Sequence, residues 1–436
     1  MVIYIQPSEI KGRLFAPASK SSMQRAVAAA LLKKGKSILK NPGHSNDDKA
    51  ALGVISALGA RIEEMYDGSL SISSEGVMPI AGAVNCGESG LGIRMFAPIV
   101  AMSKSAIIID GEGSLVTRPM DFFDEVLPQL GVEIQSNKGK LPLQIKGPIT
   151  PRNISIDGSL SSQFLTGILM AYSASNASDV TVRVNNLKSR PYIDLTLQVM
   201  KDFGLKLPVN KHYEEFYFPA GENGTSRSTE SNTVEYEVEG DWSGSAFLLV
   251  AGAIAGSVEV SAIHNTSTQA DKRIVDALLD AGAEVEVDAD KVIVKKRKME
   301  GFEFNATDCP DLFPPIVALA AHCNGLTRIR GLRRLKHKES DRGVTLKEEF
   351  EKLSTQIDLQ DDEMLVHGNG GVFVKNQVLN SHHDHRIAMA CAVACLQSDF
   401  EVQIRNAEAV NKSYPDFWQH LKKLGALISE GSNVKP

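Results

Sequence analysis

Cysteine and tryptophan are scarce in this chain, and cations are in the minority. The five cysteines are odd in number and form no Cys-x-x-Cys pair, which argues against a disulfide framework and a thiolate zinc site. Cys391 and Cys395, four apart in an apolar helical stretch, read as buried thiols. Lys and Arg number 47 against 53 Asp and Glu, a net charge of −6 with a pI near 6.0. The overall field therefore does not attract nucleic acid or an anionic membrane, and any anion site must be a local cluster. No segment reaches membrane-spanning length, and the stretch from Met1 to Pro7 lacks the charged and then apolar pattern of a signal peptide. The expectation is a cytoplasmic protein with neither a nucleic-acid nor a membrane partner.

What is present is enough for a large interior. At 436 residues, with 43% hydrophobic and 23% charged residues, the chain fits two domains of roughly 200 residues each. One pattern recurs along it: an apolar helical segment, a short Leu-Gly-Ala-like stop, then alternating β residues and a turn. The stops are Gly59, Gly131, Gly204, Gly282, Ser354 and Gly425, at intervals of 72, 73, 78, 72 and 71 residues. Six similar α/β units follow, three per domain. A glycine after the last helical turn takes the left-handed conformation without a Cβ clash. The segments 60–64, 132–135, 205–207 and 283–287 then alternate as strands with one polar face. Segments 316–322 and 388–396 are apolar nearly all round, so helices belong inside and sheets outside. The polar stretch from Gly221 to Asn232 reads as a loop near the crossover between domains.

Several helix starts carry the wrong charge. A helix N-terminus is partially positive, so a cation there is unfavourable unless an anion joins it. Ser19-Lys20-Ser21 opens a helix that runs through Arg25, and Thr117-Arg118-Pro119 opens another, with Pro119 suited to the first helical position. Gly90 to Arg94, Asp384-His385-Arg386 and Lys412 to Pro415 repeat the arrangement. Free N–H groups beside Lys or Arg make phosphate and carboxylate cradles; pairing of each cation with a surface carboxylate is the competing explanation. The glycines at 90 and 92 lack the spacing of a dinucleotide or Walker loop.

Acidic and hydroxyl residues admit two readings each. Asp311 is placed to cap the following helix, or to do chemistry. Glu339, in Lys336 to Arg342, is either part of a solvated charge run or a carboxylate kept ionised by cations. Ser161-Ser162-Gln163 reads as a helix cap whose hydroxyls and amide also suit a phosphate or a sugar-like ring. The run His382-His383-Asp384-His385 does not by itself build a metal shell.

In order, these motifs resemble the enolpyruvyl transferase family, and within it the shikimate-pathway branch. The resemblance spans Ser19 to Asp416 and is carried by Ser-Lys-Ser-x-x-x-Arg at 19–25, Asp-Gly-Ser-Leu-Ser-Ser-Gln-Phe-Leu at 157–165, Ser-Arg-Pro-Tyr-Ile-Asp at 189–194, Gly-Asp-Trp-Ser at 240–243, Lys-Glu-Ser-Asp-Arg at 338–342 and Asp-His-Arg-Ile-Ala-Met at 384–389. It implies an α/β, two-domain enolpyruvyl transferase fold of six βαβαββ units with buried helices and outer sheets. It implies domains at 1–18 with 238–436, and at 19–237, joined by two chain crossovers and closing over their ligands. The implied contacts to shikimate-3-phosphate are Lys20, Ser21, Arg25, Ser161, Ser162, Gln163, Ser189, Tyr192, Asp311 and Lys338. For phosphoenolpyruvate they are Lys20, Gly90, Arg118, Gln163, Arg342, Arg386 and Lys412. Where family members often read Asn-Ala-Gly-Thr, this chain has Glu88-Ser89-Gly90-Leu91, and Arg334 stands where an Asn commonly contacts substrate.

The implied reaction is attack of the shikimate 5-hydroxyl on C2 of phosphoenolpyruvate, through a tetrahedral intermediate, with release of phosphate. Asp311 and Glu339 would move protons and Lys20 would assist; no metal or organic cofactor is implied, and a monomer is expected. The branch acting on UDP-N-acetylglucosamine usually has Lys-Asn at the first motif and a cysteine in the loop before the later Arg-Pro. Here Lys20-Ser21 and the cysteine-free segment 111–119 depart from it. An RNA-processing protein with related α/β units is the alternative of a different class, motivated by the basic run 328–338 and opposed by the acidic net charge.

Overall fold

The computed structural model describes residues 1–221 and 233–431, so all of the polar stretch beyond Gly221 lies outside the described residues. Among the described residues, twelve helices alternate along the chain between two kinds. They are α1 Lys20–Leu32, α2 Asn46–Ala57, α3 Gly90–Val100, α4 Asp121–Val126, α5 Ser162–Ala174, α6 Arg190–Asp202, α7 Trp242–Ala255, α8 Ile274–Asp280, α9 Phe313–Ala321, α10 Arg342–Glu351, α11 His385–Cys395 and α12 Phe417–Lys423. The odd-numbered helices are buried on nearly every face, while the even-numbered ones bury a single stripe. The sequence explains the difference: α7 and α9 carry no charged residue at all, whereas α10 intersperses Lys347, Glu348 and Glu351 with its apolar positions. A helix without a polar face is stable only when surrounded.

Two compact units result, Met1–Ser19 with Glu239–Pro436, and Lys20–Val238. The crossings thus fall at 19/20 and 238/239, one residue later than 18/19 and 237/238. Among the described residues, each unit contains three four-stranded sheets. In the contiguous unit, α1, α3 and α5 pack on one another; in the other, α7, α9 and α11 do so. Fully buried side chains such as Val27, Leu31, Phe247 and Ile316 each contribute about 1.5–3 kcal/mol of burial energy. Close approach has a specific requirement: a Cβ on Gly167 of α5 would lie 2.7 Å from the carbonyl oxygens of Arg94 and Met95 on α3. Any larger residue there would force those helices apart.

All six sheets share one plan. Ile154–Asp157 pairs in parallel with Val180–Asn185 across α5, then Glu215–Phe218 and Val209–Lys211 follow antiparallel. The two crossovers exchange first strands. Ile10–Phe15, just before α1 in sequence, pairs in parallel with Gly256–Ser261, while Val234–Glu237, just before α7, pairs in parallel with Gly35–Lys40. The final sheet is closed by the N-terminal strand Val2–Ile5, which lies between Val402–Arg405 and Ile428–Gly431.

The six stops all hold left-handed backbone, with φ from +61° at Ser354 to +105° at Gly425. The segments 61–64, 133–136 and 284–287 are strands, but 205–207 is not; the strand begins later, at Val209. The five cysteines are free and buried. No helix among the described residues is long and apolar enough to cross a membrane.

Candidate active site

Each unit gathers its polar residues at helix starts. In the contiguous unit, Lys20 is the first residue of α1, and its Nζ meets Asp47 Oδ2 of α2 at 2.8 Å. That pairing is the competing explanation realised, though Asp47 is itself buried. The start of α2 is fixed by a capping box between Ser45 and Asp48. Burial pushes the Asp48 carboxyl up to about 6, against the pull of its Ser45 hydrogen bonds.

Arg25, one turn into α1, is 1% exposed. Its Nε donates to Thr196 Oγ1 at 2.9 Å, Nη1 to the Ser21 carbonyl at 2.8 Å and Nη2 to the Tyr192 carbonyl at 3.4 Å. All three acceptors are neutral. Burial therefore pulls the guanidinium down to about 10. Tyr192 also places its ring 5.9 Å from the Arg25 guanidinium. Ser189, with left-handed backbone at φ 56°, ends the loop into α6 and makes no side-chain cap.

A second cluster surrounds Gly90. Ser89 caps α3 by accepting from Gly92 N, and its hydroxyl donates to Gln24 Oε1 at 3.0 Å, tying the starts of α1 and α3 together. A Cβ on Gly90 would lie 2.5 Å from Arg118 Nη1 and 3.0 Å from Arg94 Nη1. Arg94 Nη1 donates to Gln163 Oε1 at 2.9 Å. Gly90, Arg94, Arg118 and Gln163 are thus neighbours. Ser161 caps α5 by accepting from Gln163 N at 3.2 Å, with Ser162 buried beside it. Arg118 does not open a helix: it is extended, after a 3-10 turn at Gly113–Thr117, and α4 begins at Asp121, so Pro119 precedes the first turn. The departure at Glu88 has a local consequence, since its carboxylate accepts from Ser114 N at 3.3 Å and braces the turn that carries Arg118.

The other unit builds a denser network. Asp311 does not cap α9, whose N-cap is Leu312 with no side-chain hydrogen bond. Instead Asp311 Oδ1 accepts from Arg342 Nη1 at 2.8 Å and Lys338 Nζ at 3.1 Å, while Oδ2 accepts from Arg386 Nη2 at 3.1 Å. Arg342, also 1% exposed, donates to Asp384 through Nε at 2.7 Å and Nη2 at 3.2 Å, and to Glu339 Oε2 at 2.5 Å. Asp384 caps α11 by accepting from Arg386 N. Glu339 is therefore not part of a solvated charge run. Lys412 ends a 3-10 turn at Ala407–Lys412, four residues before the N-cap of α12, and its Nζ donates to the His383 carbonyl at 2.7 Å.

Electrostatics follow from these contacts. Burial works to raise the Asp311 carboxyl, but Arg386, Lys338 and Arg342 outweigh it and hold the group well below the usual carboxylate range. Burial lowers Lys338, with Asp311 opposing. Arg342 is pushed above its ordinary value because Asp384, Glu339 and Asp311 overcome desolvation. Arg334, drawn down by burial, also faces Asp308, Asp311 and Asp362. The motif reading passed over Asp47 and Asp271, and named Arg94 and Asp384 only within helix-start motifs, with no contact assigned to either. Asp47 and Asp384 had a signal, lying within a capping pattern and directly before His385-Arg386. Among the described residues, no group of three or more His, Cys, Asp or Glu is arranged to hold a metal ion.

The discontinuous unit offers one carboxylate held among three cations and a second carboxylate on the same arginine; the contiguous unit, taken by itself, offers a buried guanidinium in neutral surroundings. That set suits proton transfer on polyanionic substrates. The chain is 34% identical to the 3-phosphoshikimate 1-carboxyvinyltransferase of Clostridium novyi over 99% of both chains, and 34% identical to that of Clostridium acetobutylicum, also over 99% of both. Its fold matches the solved EPSP synthase of Acinetobacter baumannii with a TM-score of 0.80 at 24% identity, over 98% of this chain and 100% of that one. The family model for EPSP synthase (3-phosphoshikimate 1-carboxyvinyltransferase) matches residues 5–421, and the chain belongs to that family.

Proposed function

We propose that the chain transfers the enolpyruvyl group of phosphoenolpyruvate to the 5-hydroxyl of shikimate-3-phosphate, with Asp311 and Glu339 as its proton-transfer groups. The observation that carries the assignment of roles is their shared arginine: Arg342 donates to Asp311 at 2.8 Å and to Glu339 at 2.5 Å. Two carboxylates in one hydrogen-bonded unit suit a reaction that adds a proton at one carbon and removes one from a hydroxyl.

In the addition step, Asp311 takes the proton of the 5-hydroxyl as its oxygen bonds to C2, and Glu339, protonated, gives a proton to C3. The π electrons of the C2–C3 bond form the new C3–H bond, leaving a tetrahedral ketal phosphate. In the elimination step Glu339 recovers a proton from C3, the C2–C3 double bond reforms, and the C2–O bond to phosphate breaks. The proton on Asp311 leaves with phosphate. Lys20 balances charge during both steps. Arg25, Ser21, Ser161, Ser162, Gln163, Ser189, Tyr192 and Lys338 hold shikimate-3-phosphate, and Gly90, Arg118, Arg342, Arg386 and Lys412 hold phosphoenolpyruvate. Preorganised cations of this kind stabilise charge as it develops.

The test is phosphate release from phosphoenolpyruvate without added metal, comparing shikimate-3-phosphate with UDP-N-acetylglucosamine as acceptor. Turnover with shikimate-3-phosphate alone is expected. Turnover with the UDP-sugar alone rejects the substrate assignment.

A further inference from the structure

Among the described residues, the run His382-His383-Asp384-His385 belongs to no group arranged to hold a metal ion; it builds a braced turn instead. His382 and His383 both hold left-handed backbone, with φ of 51° and 57°, between the strand Val378–Asn380 and α11. Two such residues in succession are costly where a Cβ is present, and they persist only when their surroundings fix them. Here the surroundings are specific. Glu349 lies in the buried stripe of α10 beside Leu346 and Phe350, and is 1% exposed. Its Oε1 accepts from His382 Nε2 at 2.7 Å and its Oε2 from Asn380 N at 2.9 Å, with Lys352 Nζ 2.8 Å from both oxygens. A buried carboxylate must be paired, and two of these partners belong to the turn.

The same turn reaches forward to Lys412. His382 N donates to Asn380 Oδ1 at 2.9 Å and His383 N to Ser381 Oγ at 3.1 Å. Ser381 Oγ donates to the Asn406 carbonyl at 2.8 Å, and Asn406 Nδ2 to Asn380 Oδ1 at 2.9 Å. Asn406 is the N-cap of the 3-10 turn Ala407–Lys412, and Lys412 Nζ donates to the His383 carbonyl at 2.7 Å. Both ends of that 3-10 turn are thus tied to residues 380–383.

We infer that Glu349 and His382 are positioning residues for Lys412: the buried carboxylate of α10 locks the left-handed turn, and the turn presents the carbonyl that holds the Lys412 ammonium where phosphoenolpyruvate binds. The inference rests on the assignment of Lys412 to phosphoenolpyruvate. A carbonyl fixes the place of an ammonium without neutralising it, so Lys412 keeps a full charge for an anionic group. Misplacing such a group by about 1 Å can cost about 10²-fold. Asp384, next in the chain, is anchored on its own by Arg342 and by Arg386 N. Loosening the turn should therefore reach Lys412 and spare the carboxylates on Arg342.

The experiment is steady-state phosphate release, varying each substrate in turn, with thermal melting alongside. The variants are His382→Gly, His382→Gln, Glu349→Gln, Lys412→Ala and His382→Gly combined with Lys412→Ala. Glycine takes left-handed backbone freely but cuts the link to Glu349. His382→Gly should therefore raise KM for phosphoenolpyruvate roughly tenfold and leave kcat and KM for shikimate-3-phosphate within about threefold of wild type. His382→Gln puts an amide donor near the place of Nε2 and should bring KM back to within about threefold of wild type. Glu349→Gln should shift KM in the same direction as His382→Gly, which decides alone if Glu349→Gln does not fold. In the double variant KM should equal that of Lys412→Ala, because His382 acts only through that lysine. A lowered melting temperature with unchanged KM in His382→Gly overturns the proposal in favour of a packing role, and a fall in kcat alone overturns it in favour of a route through Asp384. KM effects that multiply in the double variant also overturn it. If Lys412→Ala raises KM and His382→Gly does not, the proposal fails and the role of Lys412 stands. Wild-type KM in Lys412→Ala removes both.

Discussion

Arg25 and Arg342 are the same residue type at the same burial, 1% exposed, one in each unit, yet their surroundings are opposite. Arg25 donates to a threonine hydroxyl and two carbonyls, and desolvation draws it down to about 10. Arg342 donates to three carboxylates and is pushed above its ordinary value. A buried cation among neutral oxygens keeps its charge available for an anion that arrives later, whereas one among carboxylates has already been neutralised. In the contiguous unit Arg25 is thus left to receive charge, and in the other Arg342 holds an internal balance among three carboxylates.

Removing the two guanidiniums is the sharpest way to break the comparison. Arg342→Gln leaves Asp311, Glu339 and Asp384 short of a common partner and should cost about 3–5 kcal/mol of stability, the usual penalty for breaking a buried ion pair from one side. Arg25→Gln removes an expensive desolvated charge and should change stability by no more than about 1 kcal/mol. Urea unfolding followed by fluorescence checks both. Equal losses would erase the distinction drawn between the units.

Next in size are Asp311→Asn and Glu339→Gln. Each should lower kcat by about 10²-fold or more while the protein still folds, since each removes a proposed proton-transfer group. Steady-state phosphate release is the measurement, and wild-type kcat in both variants would reject their roles.

Smaller effects should follow in the receiving unit. Arg25→Gln should raise KM for shikimate-3-phosphate about 10- to 100-fold with kcat less affected, as expected when a binding interaction common to ground and transition states is lost. Gly90→Ala pushes a methyl against Arg118 and Arg94, and should raise KM for phosphoenolpyruvate several-fold while leaving that for shikimate-3-phosphate nearly unchanged. Equal changes in both would move Gly90 away from the phosphoenolpyruvate contacts.

The least effect concerns pH. Asp48 is an acid whose folded value, about 6, stands above the ordinary 3.8. The folded protein then keeps a proton that the unfolded chain releases, so the Asp48 contribution to stability falls as pH rises from about 4 to about 6. Asp48→Asn keeps an oxygen for Ser45 and removes that slope. Melting curves at pH 4, 5, 6 and 7 should show the variant gaining on wild type across this window and holding its gain above it.

How much of this was legible in the sequence depends on how local the cause is. The six stops were readable because a left-handed residue after a helix is a local requirement, and even Ser354 obeys it. The buried helices were readable because α9 and α11 have no polar face. Two expectations failed for an equally local reason: Arg118 directly follows a 3-10 turn and Lys412 ends one, and such turns resemble a helix start in composition but end before α4 and α12 begin. The site was less legible. Glu339 and Asp311 stood out as acids in suggestive places, but while Glu339 is only 3 residues from Arg342, that Asp311 shares this arginine depends on residues 31 apart in sequence meeting in space. Asp271 carries no motif signal that separates it from a surface acid; only burial singles it out.

The N-terminal strand sets an order of events during synthesis. Val2–Ile5 is flanked in its sheet by Val402–Arg405 and Ile428–Gly431, and the Met1 amine reaches Glu408 at 2.6 Å. Val2–Ile5 thus meets its neighbours only after about 400 further residues, a wait of about 20–80 s at ordinary elongation rates. Lys20–Val238 is contiguous and has its own sheets complete long before that. During the wait, Val2–Ile5 is an apolar strand with unpaired edges, the kind of segment that chaperones capture. A nascent chain halted after residue 238 would hold one finished unit and an N-terminal tail still seeking its sheets.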